Sequence, residues 1–112
     1  MVIARISTLL ALGGGLALAA LPARAQSPGL YYAWRSVDTD IVTCLERSTT
    51  ALNEEGLGNV QVEGNSVAGT TAESTAVFVC LQNPDAITVM IMVSSTDDDS
   101  AFTLRETLKE SF

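Results

Sequence analysis

The sequence contains no histidine. That absence removes Ser-His and Cys-His nucleophile systems and every zinc site that relies on imidazole. Basic residues are scarce, six Lys and Arg against 13 Asp and Glu. Such a surface repels nucleic acid and anionic lipid headgroups, because binding those polyanions depends on Lys and Arg contacts. A basic protein partner is compatible with the charge, although solubility alone accounts for an acidic surface equally well. Cysteine occurs only at Cys44 and Cys80. Two cysteines make no structural zinc site, they are not a C-x-x-C pair, and no basic residue adjoins Cys80 to favour a reactive thiolate. Glycine-rich phosphate loops are missing as well: Glu55-Gly56-Leu57-Gly58 matches none and reads as a helix stop followed by the start of a strand. There is no internal repeat, low-complexity segment or long linker.

What is present begins with an export signal. Arg5 gives a positive start, Ile6 to Leu21 form an apolar stretch too short for a comfortable membrane span, and Ala23-Arg24-Ala25 is a small-x-small cleavage site. Residues 1–25 are therefore expected to be a signal peptide cleaved near Ala25, with the mature chain starting at Gln26. No cysteine closely follows the apolar stretch, so a lipid anchor has no attachment point. The expected location is the bacterial periplasm or the outside of the cell. Cleavage removes Arg5 and Arg24 and leaves four basic residues against 13 acidic, a net charge of −9. Residues 26–112 are enough for one small domain with a modest core.

Along that domain, Tyr31 to Val37 is aromatic and β-branched and predicts a first strand. Over residues 38–56 the period changes: Ile41, Cys44, Leu45, Ser48, Ala51 and Leu52 share one helical face. Asp38 or Thr39 is placed to cap that helix, and Gly56 to end it. Val60 and Val62 alternate with polar residues, Gly64-Asn65 suits a tight hairpin, and Val67 resumes the pattern. Thr70 to Thr75 reads equally as a loop or as the frayed start of a strand. Two apolar runs, residues 76–81 and 86–93, flank the turn chemistry of Asn83-Pro84-Asp85. At the end, Ala101, Leu104, Leu108 and Phe112 share a face and predict a second helix from Asp98 to Ser111, capped by Ser95, Thr96 or Asp97. The expected fold is a two-layer α+β sandwich, an antiparallel sheet of about four strands in chain order β-α-β-β-β-α with both helices on one face.

That architecture raises a question of cover. A four-residue loop at Gln82 to Asp85 pairs Leu81 with Ala86 and Phe78 with Val89. One face then carries Ala76, Phe78, Cys80, Ile87, Val89, Ile91 and Val93. The other carries Val77, Val79, Leu81, Thr88, Met90 and Met92. Both predicted helices are expected over the first face, because Cys44 points from the first helix toward Cys80. The Val77, Val79, Leu81, Met90 and Met92 face is left without an obvious cover, and exposed apolar faces commonly mark interaction surfaces. The plainer alternative folds the 70–75 loop or the Tyr31, Tyr32 and Trp34 segment over it.

In an exported chain, Cys44 and Cys80 are expected to form a disulfide, with two buried free thiols as the alternative. Catalytic signals are weak. Asp97-Asp98-Asp99 lacks the spaced ligands and turn glycine of a calcium loop and suits a helix start. Met90-x-Met92 shares a strand face as soft-metal ligands would, but no cysteine or histidine completes the set. Asp38, Asp40, Glu63, Glu73 and Asp85 offer carboxylates for acid/base work, with no pair singled out. No cofactor or metal is expected. The favoured function is a non-enzymatic exported binding or assembly module, a homodimer or a binder of a protein or apolar ligand. The alternative is a small exported enzyme or inhibitor with its site in loops 63–75 or 82–86.

Overall fold

The computed structural model describes residues 27–112; the expected signal peptide and the Gln26 start lie outside the described residues. The chain runs β1 (Gly29–Val37), α1 (Ile41–Glu54), β2 (Gly58–Glu63), β3 (Ser66–Thr70), β4 (Ser74–Gln82), β5 (Ile87–Ser95) and α2 (Asp98–Glu110). All strands join one antiparallel sheet in the order β1-β5-β4-β3-β2. The fold is thus the expected α+β sandwich, with five strands where about four were expected. The difference arises at residues 58–70, where each arm of the Gly64-Asn65 hairpin is a full strand.

Local chemistry explains the boundaries. Asp40, rather than Asp38 or Thr39, caps α1, its carboxylate accepting the Thr43 N–H at 2.7 Å. At the other end Gly56 sits at φ +81°, the left-handed region that a side chain resists. The Gly56 N–H donates to the Asn53 carbonyl and the Leu57 N–H to that of Leu52, a Schellman closure with Leu57 and Leu52 both buried in the core. Gly64 at φ +60° opens the two-residue turn between Glu63 and Ser66, which fits a type II′ hairpin. In α2, Asp97 accepts from the Ser100 N–H at 3.0 Å and the Ser100 hydroxyl at 2.6 Å. Asp98 and Asp99 occupy the first turn and Lys109 the last, each favourable to the helix dipole. The 70–75 stretch resolves into a short turn, with the Thr71 N–H bonding the Ser74 carbonyl, before β4 begins at Ser74.

The β4–β5 register differs from expectation by two residues. Gln82 pairs with Ile87 and Phe78 with Ile91, so the loop is Asn83 to Ala86, closed by the Asn83 N–H on the Ala86 carbonyl at 2.9 Å. A shift of two preserves the alternation, whereas a slip of one would exchange the faces. The core face is accordingly as expected: Ala76, Phe78, Cys80, Ile87, Val89, Ile91 and Val93 are all fully buried. Over it lie both helices, α1 against β2, β3 and β4 and α2 against β1 and β5. Cys44, Ser48, Ala51 and Leu52 enter the core from α1, and Ala101 and Leu108 from α2. Phe112 packs on Phe78 with ring centroids 5.4 Å apart, and the Arg47 guanidinium lies 4.4 Å above the Phe112 ring.

Candidate functional site: the open sheet face

With both helices on one side, the other side of the sheet is set by strand parity. The pairings align two rows of side chains across four strands. One runs Trp34, Met90, Val79, Ser66; the next runs Tyr32, Met92, Val77, Ala68. Leu30, Ser94, Thr75 and Thr70 bound them on one side, and Ser36, Thr88 and Leu81 on the other. The residues expected on the uncovered face are therefore together. Val77, Val79, Met90 and Met92 are half-buried by their sheet neighbours, and Leu81 is 40 % exposed.

β1 adds an aromatic end to this face that the sequence alone does not place there. Trp34 is 62 % exposed and Tyr32 54 %, with their rings stacked at 6.1 Å between centroids. These residues do not fold over the face; they extend it. Tyr31, one residue out of phase, turns to the helix side and meets Phe102 edge-on at 6.5 Å. The alternation in "LYYAWRSV" carried this information, but the identity of the neighbouring strand did not follow from it. The turn at residues 71–73 lies exposed at the end of β3 and β4, and no described element packs over the two rows.

Charge is segregated from this surface. Neither row holds an ionisable carboxylate or a cation, and Glu63, paired with Ser66 on β2, stands at the margin. The acids considered for catalysis are distributed by the topology. Asp38 and Asp85 lie at the sheet end where Val37 pairs with Ile87, and Glu73 lies at the opposite end, beside the Ser74–Ser95 pair. Glu63 is on the far edge strand, about 19 Å across the sheet from β1 at ~4.8 Å per strand. Asp40 is held below the usual carboxylate value of 3.8, chiefly by the backbone N–H of Thr43. Asp97 is also lowered, chiefly by the Ser100 hydroxyl. Both shifts belong to helix caps. Among the described residues no group of three or more His, Cys, Asp or Glu is placed to hold a metal ion.

Two clefts lie elsewhere. One of about 630 Å³ is bounded by Ser27, Pro28 and the 95–99 segment, and one of about 410 Å³ runs along α1 between Thr43, Arg47, Glu54 and Ser111. No family model, curated protein or solved structure matches this chain.

The two cysteines are placed on the covered side. Cys44 on α1 and Cys80 on β4 are fully buried, with Cα atoms 6.2 Å apart and the sulfurs bonded. Ser48 lies beside them, its hydroxyl donating to the Cys44 carbonyl at 2.8 Å and standing 3.9 Å from Cys80 Sγ. The pair clamps the first helix to the sheet, behind the open face.

Proposed function

We propose that this chain is an exported, non-enzymatic binding or assembly module whose working surface is the open sheet face. The observation that carries this reading is the pair of apolar rows headed by Trp34 and Tyr32, charge-free and uncovered in a strongly acidic chain. Aromatic residues and methionine in a patch depleted of charge are the composition of interface centres. Methionine also lets such a surface adapt to what it meets. Export is supported by the pattern of residues 1–25 and by a buried cysteine pair of the kind that persists in oxidising compartments. No described helix is long and apolar enough to cross a membrane.

The test is substitution on the face of the exported product. Met90→Lys and Val79→Lys are expected to abolish self-association, or the fluorescence of bound anilinonaphthalene sulfonate, while circular dichroism and the disulfide stay intact. Unfolding of both variants, with association and dye binding unchanged in the folded fraction, would make these residues structural and overturn the reading.

A further inference from the structure

The two rows taper. From β1 to β3 the side chains fall in size as Trp34, Met90, Val79, Ser66 in one row and as Tyr32, Met92, Val77, Ala68 in the next. The surface is a wedge, thick at β1 and thin at β3. We infer that its occupant is a second copy of this chain, related by a two-fold axis lying in the interface parallel to the strands; this rests on the face being the working surface.

Run between β5 and β4 of the β1-β5-β4-β3-β2 sheet, that axis places β1 of each copy over β3 of the other and keeps every row over itself. Trp34 then fills the space above Ser66 of the second copy, and Tyr32 the space above its Ala68. Two opposed wedges make a layer of even thickness, as close packing between sheets demands. An axis across the strands would instead set thick edge on thick edge and leave a gap over β3. The contact is isologous and closes as a dimer.

Size and charge agree with this occupant. Three strands of nine residues and the five-residue β3, at ~4.8 Å spacing and ~3.4 Å per residue, give a face of roughly 520 Å² per copy. Two such faces bury about 1,040 Å², close to the ~1,000 Å² a specific interface needs. The helix acids face outward, and in the dimer the two helix layers stand roughly 30 Å apart, from ~10 Å sheet spacing and ~10 Å helix diameters. At a screening length of about 8 Å their repulsion is small. A small apolar ligand would require a hollow that buries it, whereas both clefts lie off this face. A lipid surface would favour cations around the apolar patch, and the two rows contain none.

The experiment is light scattering on the unreduced product of the full chain exported from a bacterial host, over a dilution series. A mass of two copies is expected for the wild type. Ala68→Phe should reduce the mass to one copy by filling the space Tyr32 occupies, and Tyr32→Ala combined with Ala68→Phe should restore two copies. Should Ala68→Phe fail to fold, the neighbouring row gives the same comparison with Ser66→Trp alone and with Trp34→Ser added. A two-copy mass indifferent to these exchanges would overturn the wedge pairing. A one-copy mass at all concentrations, with anilinonaphthalene sulfonate bound in wild type and not in Met90→Lys, would overturn the dimer while leaving the proposed binding surface standing. A one-copy mass without dye binding would overturn both.

Discussion

Reducing the Cys44–Cys80 bond should remove a large part of the stability of the domain. The bond joins α1 to β4 across 36 residues of sequence, a loop whose closure is worth about 4 kcal/mol on the chain-entropy model. At ~0.05–0.15 kcal/mol per residue, the 86 described residues would have only about 4–13 kcal/mol in total. Loss of the crosslink should lower the thermal midpoint by about 16–32 °C, at roughly 4–8 °C per kcal/mol for a domain of this size. The comparison is best made between oxidised and reduced forms of the same chain, because both thiols remain available to pack in the core. Chain concentration must be held fixed, since association shifts the midpoint by mass action. Urea titrations at neutral pH, with thiol state verified by mass, give the difference directly. A difference below about 1 kcal/mol would refute the entropic reasoning and show that the core holds α1 on the sheet unaided.

Other perturbations separate the core from the open face. Phe78→Ala, at a fully buried position against Phe112, should cost about 3–5 kcal/mol in chemical denaturation; Trp34→Ala should cost the isolated fold far less and act on association instead. Gly56→Ala places a Cβ at φ +81° and should destabilise by about 1 kcal/mol, read from the same titration. The cap carboxylates Asp40 and Asp97 are lowered below 3.8 in the fold. Their contribution is therefore full above the unfolded value and is lost as pH falls through the folded one. The urea midpoint should decline below about pH 4 for this reason, and Asp97→Asn, which keeps a cap acceptor, should flatten part of that decline.

Much of the fold was legible because its signals are local. The period of Ile41, Cys44, Ser48 and Leu52 specifies a helix face, Gly56 stops it, and Asp97 starts the last helix. The two faces of β4 and β5 were also legible, because a register error of two residues leaves parity untouched. What could not be read was lateral order. The pairing of β1 with β5 closes a long stretch of chain, and nothing in Tyr32 or Trp34 names Met92 or Met90 as its neighbour. The face was therefore visible only as far as Val77, Val79, Leu81, Met90 and Met92, without the aromatic end that gives it its taper. The disulfide was readable because both cysteines fall on inward phases of their elements. The alternation of Val60 and Val62 pointed to a strand, but the left-handed Asn59 and the register shift between Gly58 and Gln61 are tertiary features with no equally clear sequence sign.

Trp34 is the only tryptophan in the chain, and it stands at the thick end of the open face, so its fluorescence reports directly on whether that face is occupied. In the native, unreduced protein at working concentration, emission should be blue-shifted and shielded from a soluble quencher. Dilution or Met90→Lys should turn it red and quenchable. Red, fully quenchable emission at every concentration, unchanged by Met90→Lys, would contradict the claim that a second copy covers this face.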